Sequence, residues 1–171
     1  MQFLRVFSIV FLLSAPEFLG QSLAPADFSG TWHMDAHRSE SAHQDVAIGP
    51  VTLMITQSNS EISIETARKV SKGSGEFQEK LTYRLDGTET VGSGNAGAKV
   101  TTKARWDGAK LVTETTRNIQ DSTVTTLYVQ SLAPGGHEMS IEKSLTVQHG
   151  YQFQGAKTTG RGTDVFVKKE K

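Results

Sequence analysis

Short runs in which apolar and polar residues alternate, separated by turn residues, constrain the fold of this chain more than any other feature. Val51, Leu53 and Ile55, for example, alternate with Thr52 and Thr56. A repeat of two residues is typical of a β-strand with one face toward the core and the other toward water. Helical periodicity is almost absent beyond residue 26, so the sequence predicts an all-β protein.

The number of these runs predicts how the strands assemble. About nine or ten strands follow one another, and most are joined by turns short enough for hairpins. A meander of that length tends to close on itself, because closure removes the unpaired edge strands. With 171 residues, the chain has the length of one domain. We therefore expect a single antiparallel up-and-down barrel.

One hairpin predicts which residues of two central strands face inward. Asp107-Gly108 has the composition of a two-residue type I′ turn. In that register Trp106 lies beside Ala109, and Val100 lies beside Thr115. The lysines of the strand that precedes this turn, Lys99 and Lys103, then face water. The polar residues expected on the inner face are Thr102, Thr113, Thr115 and, at the strand end, Arg117.

A second pairing predicts the orientation of Tyr128. Pro134-Gly135-Gly136 forms a turn after a long strand, and Leu132 is expected to face Met139 across it. Because inward residues recur at every second position, this pairing carries Tyr128 to the inner side.

A third turn, Asp86-Gly87, is also a strong hairpin sequence. It predicts that the flanking strands pair and bring Arg84 opposite Glu89. Opposite charges placed in this way would stabilise the pair of strands.

The first residues have the composition of a signal peptide. Arg5 precedes an apolar run over residues 6–13, which Pro16 and Glu17 end. Small residues then offer cleavage after Ala24 or after Ala26. We expect a signal peptide over 1–24 and a barrel domain over 25–171, with an uncleaved membrane tether as the alternative. No second apolar segment follows, so we expect a protein that is exported, periplasmic or secreted, and not stably inserted in a membrane.

Charge and cysteine content exclude several classes of function. Lysine and arginine total 18, as do aspartate and glutamate, so there is no excess positive charge to bind nucleic acid. The absence of cysteine excludes disulfides, thiolate metal sites and cysteine nucleophiles. An exported domain without cysteine is more typical of bacteria.

The sequence at the first predicted strand resembles a known family. Gly30-Thr31-Trp32 is similar to the Gly-x-Trp signature that opens lipocalins and other calycins, avidin-like barrels included. The wider pattern resembles a group of exported bacterial lipocalin-like domains, from residue 27 to about 168. It comprises Asp27-Phe28-Ser29-Gly30-Thr31-Trp32, Asp35, Arg38-Ser39, Leu85-Asp86-Gly87 and Trp106-Asp107-Gly108.

The resemblance implies structural roles for Gly30, Trp32 and Trp106. The glycine would allow close backbone approach, and Trp32 would cap one end of the barrel. Lipocalins often place a late arginine over this tryptophan, and the only late arginine here is Arg161. The resemblance also implies an interior that can hold a small apolar or amphipathic molecule, without indicating which one.

A polar cluster is the candidate binding site. Arg117, Tyr128 and Glu79 are expected on inner faces, together with the inward Thr102, Thr113 and Thr115. A guanidinium beside a tyrosine hydroxyl would suit a ligand carboxylate, because the fork of N–H groups matches its two oxygens. The alternative is that Arg117 lies at the strand end and points to water.

Other chemistry is poorly supported. Four residues with metal-binding side chains match no strong motif and are more typical of a polar surface: His33, Asp35, His37 and His43. Gly92, Gly94 and Gly97 match a dinucleotide fingerprint, but a strand-like run follows where that fingerprint needs a helix. No nucleophile elbow or metalloprotease motif occurs. We therefore expect no catalytic residue, no metal and no cofactor.

Three hypotheses for function remain. The first is a non-catalytic exported barrel that binds a small hydrophobic or amphipathic ligand inside. The second is a structural or interaction barrel filled by its own side chains, and the third is a barrel-type enzyme such as an isomerase or hydrolase. Cavity volume separates the first two, whereas the third needs titratable groups that meet in the cavity. The oligomeric state does not follow from the sequence.

Overall fold

The computed structural model describes residues 25–43, 49–69, 76–94, 97–150 and 155–170. The predicted signal peptide over 1–24 lies outside this part. The described residues form ten strands and one 3₁₀ helix, Glu40–His43. The strands are β1 (Gly30–Met34), β2 (Val51–Gln57), β3 (Glu61–Lys69), β4 (Glu76–Arg84), β5 (Thr90–Ser93), β6 (Lys99–Asp107), β7 (Lys110–Ile119), β8 (Ser122–Leu132), β9 (Glu138–Gln148) and β10 (Lys157–Lys168).

All ten strands belong to one antiparallel sheet, which confirms the predicted up-and-down barrel. The hydrogen-bonded order is β4-β3-β2-β1-β10-β9-β8-β7-β6-β5. The first and last strands pair, with Trp32 opposite Lys168. No helix in the described part is long and apolar enough to cross a membrane.

The barrel has a gap between β4 and β5, because these strands are the two ends of the sheet. The predicted pairing of Arg84 with Glu89 is therefore wrong. Arg84 lies opposite Glu61 of β3 and forms an ion pair with Asp86, 2.9 Å away. Asp86 also accepts a hydrogen bond from the backbone N–H of Thr88, so its turn is closed by local contacts and does not require strand pairing.

The hairpin between β6 and β7 turns one residue later than predicted. Trp106 lies opposite Leu111, and the turn residues are Gly108 and Ala109. Gly108 has φ +59°, and Ala109 has no positive φ. This is the type II′ preference, in which glycine takes the first central position. The shift moves each partner by two residues, so it leaves the predicted inner face unchanged.

The other predicted pairing is confirmed, since Leu132 lies opposite Met139. Tyr128 therefore lies on the same face of β8 as the fully buried Gln130. Thr102, Thr113 and Thr115 are also buried, as the alternation predicts.

One end of the barrel is closed by aromatic rings. Trp32 is fully buried and donates a hydrogen bond from Nε1 to the carbonyl of Phe28, at 2.9 Å. Phe28 in turn stacks on Trp106, with ring centroids 6.2 Å apart. The Nζ atom of Lys168 lies 5.2 Å from the Trp32 ring centroid. Lys168 thus occupies the position expected for a late arginine, while Arg161 is exposed.

Gly30 allows this arrangement. Its φ of +137° is rarely adopted by residues with a side chain, and a Cβ atom there would lie 2.6 Å from Cε of Lys168. The glycine of the signature therefore leaves room for the lysine stem beside Trp32.

A row of threonines crosses five adjacent strands on the outer face. Each threonine lies directly opposite the next in the row: Thr101, Thr116, Thr125, Thr146 and Thr159. Two of these pairs are within hydrogen-bonding distance, Thr116 with Thr125 at 3.3 Å and Thr146 with Thr159 at 3.5 Å. Such cross-strand pairs each stabilise a sheet by roughly 0.2–1 kcal/mol.

Candidate functional site

The interior of the barrel contains a cavity of about 360 Å³ that is partly open to solvent. Every strand except β5 and β6 contributes to its wall, and the lining residues recur at every second position along each strand. Most of the wall is apolar, with contributions from Leu53, Ile64, Leu81, Ile141 and Phe166. Ile119 also lines the cavity and is 52% exposed, so the cavity extends toward the barrel end where β7 finishes.

The structure brings four of the six predicted site residues to this cavity, namely Arg117, Tyr128, Glu79 and Thr115. The other two threonines lie within the wall. Thr102 donates a hydrogen bond to the carbonyl of Thr82, at 2.9 Å, and so links β6 to β4 beside the gap. Thr113 accepts one from Nε2 of Gln130, at 3.4 Å. Of the three threonines that the sequence predicts as site residues, Thr115 alone borders the cavity.

Arg117 is already paired with a carboxylate of the protein. Its two terminal nitrogens lie 3.0 and 3.1 Å from the two carboxylate oxygens of Glu79. The side chains are 25% and 9% exposed, so the pair is largely removed from water. Breaking such a pair would leave a buried charge uncompensated. The pair links β7 to β4, and a ligand carboxylate at Arg117 would have to compete with Glu79.

Two tyrosines place neutral hydroxyl groups on the wall. Tyr83 lies 2.9 Å from the hydroxyl of Thr115, and burial raises the pKa of Tyr83 to about 12. Burial, and secondarily the charge of Asp164, also raises the pKa of Tyr128. Both phenols therefore stay protonated at neutral pH. Tyr128 lines the cavity and makes no hydrogen bond through its side chain to a residue that the structure describes.

A second buried ion pair lies on the opposite wall and was missed from the sequence. Nζ of Lys143 is 2.6 Å from Oδ2 of Asp164. The same carboxylate accepts hydrogen bonds from the N–H of Ser41, at 3.1 Å, and from its hydroxyl, at 2.9 Å. Asp164 thus ties the 3₁₀ helix to the cavity wall. Ser41 and Asp164 are 123 residues apart, so no local pattern indicates their contact.

One further charged side chain of the cavity wall, Arg68, was also missed. Arg68 lines the cavity and places its guanidinium carbon 4.4 Å from the ring centroid of Phe77. Gln130 lies deeper, and its buried Oε1 has no hydrogen-bond partner among the described residues. Arg68 continues the alternation of Ile62 and Ile64 along β3, which could have suggested it, and the alternation that places Tyr128 inward also predicts Gln130 there.

The residues with metal-binding side chains do not form a site in the described part of the chain. His33 lies 3.1 Å from the hydroxyl of Thr52, and Asp35 forms an ion pair with Arg38 at 2.7 Å. No group of three histidine, aspartate or glutamate side chains meets there. The side chain of His43 lies outside what the structure describes.

Comparisons with known proteins identify the fold. No protein-family model and no curated protein sequence matches the chain. Solved structures do match. A secretory abundant heat soluble protein from Ramazzottius varieornatus has a TM-score of 0.51 at 14% identity, covering 82% of this chain and 94% of that one.

Two lipid-related structures match as well. Apo lipid binding protein 8 from Caenorhabditis elegans has a TM-score of 0.51 at 14% identity, over 83% of this chain and 95% of that one. A fatty acid transporter, REP1-NXSQ, has a TM-score of 0.50 at 14% identity, over 84% and 97%. Likeness at this identity shows the fold alone, and the chain has the same kind of antiparallel up-and-down β-barrel as these structures.

Proposed function

We propose that this protein is an exported, non-catalytic barrel that binds one small amphipathic molecule in its interior. The cavity carries this proposal. Its volume of about 360 Å³ falls within the roughly 300–1,000 Å³ typical of ligand sites. Apolar walls with a few polar groups suit a guest that is apolar along most of its length. A barrel filled by its own side chains would not leave this space.

The chemistry of the wall supports binding rather than catalysis. The carboxylates of Glu79 and Asp164 are held in ion pairs, and both tyrosines stay protonated at neutral pH. A general acid or base needs a pKa near the working pH and access to its substrate. The solved structures of similar fold include a fatty acid transporter and a lipid binding protein, which supports the same class of ligand here.

Export is the second part of the proposal, and it rests on the leader-like sequence over residues 1–24. The signature-bearing segment would place the protein among bacterial lipocalin-like domains, either periplasmic or secreted. N-terminal sequencing of native protein should find Pro25 or Asp27 first. A stable, soluble protein that begins at Met1 would contradict a cleaved leader.

A titration with a fluorescent fatty acid tests the binding function. Saturable binding at about tens of micromolar or tighter is expected, because an apolar tail would leave water for the cavity. Thr126 lines the cavity and Thr125 precedes it on the outer face. Thr126→Trp should therefore weaken binding by filling the cavity, whereas Thr125→Trp should not. Folded, ligand-free protein that binds no probe would refute the function.

A further inference from the structure

The charges on the cavity wall do not balance. Among the described residues, three cations line the cavity, Arg68, Arg117 and Lys143, and two anions, Glu79 and Asp164. Arg117 is paired with Glu79 and Lys143 with Asp164. The described wall therefore carries one excess positive charge, and Arg68 carries it.

Arg68 lines the cavity and packs against an aromatic ring of the neighbouring strand. It lies directly opposite Phe77 across β3 and β4, and its guanidinium carbon is 4.4 Å from that ring's centroid. A guanidinium that packs against one ring in this way still has N–H groups to donate to a guest. In the described part of the chain, no carboxylate lies within 4.0 Å of the Arg68 guanidinium.

The free-energy cost of binding an anion in the cavity would differ among the three cations. At Arg117 the anion would have to displace Glu79, and at Lys143 it would have to displace Asp164. Either displacement leaves a carboxylate buried without its partner. At Arg68 no carboxylate of a described residue is displaced, and a guanidinium edge can donate two parallel hydrogen bonds to one carboxylate.

We propose that Arg68 binds the anionic group of the ligand, so that the cavity selects an amphipathic monoanion over an uncharged molecule of the same shape. The assignment rests on the proposed binding function and specifies its ligand. The apolar tail would lie along Ile64 and Leu81, which belong to the same two strands as Arg68 and Phe77. Arg117 takes no part in binding the anion and holds Glu79.

Two probes with one fluorescent tail test this assignment, a long-chain carboxylic acid and its methyl ester. At neutral pH the wild-type protein should bind the acid roughly tenfold or more tightly than the ester, because a hydrogen bond between charged groups raises affinity by about that factor. Arg68→Met should reduce this ratio to about one, mainly by weakening the acid. Arg68→Lys keeps the charge and should retain a preference for the acid.

Arg105→Met is the matched control, because Arg105 is exposed on the outer face of β6. It should leave the ratio unchanged. A preference for the acid that survives Arg68→Met overturns the assignment, as does equal binding of acid and ester by the wild type. Failure of both probes to bind the wild type refutes the binding function itself, and the two failures are therefore distinguishable.

Discussion

Removing the ring of Trp32 should destabilise the barrel more than removing the other tryptophan. Trp32 is fully buried, donates a hydrogen bond to the carbonyl of Phe28, and lies under the ammonium group of Lys168. Trp32→Ala removes the buried ring together with the hydrogen bond and the contact with Lys168. Trp106 is only partly buried, although it stacks on Phe28.

The magnitude follows from these contacts. Replacing a buried tryptophan by alanine costs roughly 3–5 kcal/mol through lost transfer free energy and the cavity left behind. The carbonyl of Phe28 loses its partner at 2.9 Å, which costs about 1–3 kcal/mol when the group stays buried. These terms overlap, so we expect a loss near 4 kcal/mol, within the ~3–5 range. That is a large share of the ~5–15 kcal/mol that stabilises a typical domain.

Urea unfolding followed by far-UV circular dichroism measures the loss as a shift in midpoint at unchanged slope. Trp106→Ala serves as the matched control and should cost clearly less. A loss below about 1 kcal/mol for Trp32→Ala would show that its ring is peripheral, and the reasoning would fail. Equal losses for the two variants would refute the ranking by burial.

Three further predictions test other features. Gly108→Val should lower the free energy of unfolding in urea by about 1 kcal/mol or more, because φ at Gly108 is +59°. Lys103→Ser, on the outer face, should leave that free energy almost unchanged. Equal effects of the two substitutions would contradict the assignment of faces. Gln120 has φ +55°, a backbone conformation that is strained for a residue with a side chain. Gln120→Gly should therefore raise the free energy of unfolding by up to about 1 kcal/mol, and a decrease in that free energy would contradict the strain. The pKa of Tyr83 is raised from 10.0 to about 12, so the unfolded chain loses this proton first and stability should fall as pH rises between those values. Tyr83→Phe should flatten that fall in urea titrations at alkaline pH, and an identical slope would refute the shift.

The faces of the strands were determined by the sequence itself. Alternation depends only on neighbouring residues, so Tyr128 and Thr115 could be assigned inward before their partners were known. The assignment even survived the error in the Asp107-Gly108 turn, because that error moved each partner by two residues. Trp32 could likewise be placed as a structural residue from its signature.

Only the tertiary structure decided which of these inward residues meet. Arg117 and Glu79 are 38 residues apart, and their contact depends on how the sheet curls to bring β7 near β4. The composition of the Asp86-Gly87 turn predicts a hairpin, whereas β4 and β5 are the two ends of the sheet. The row of threonines on the outer face likewise depends on the register of five strands. Long-range closure of this kind reflects the twist and pairing of the whole sheet, which no local repeat encodes.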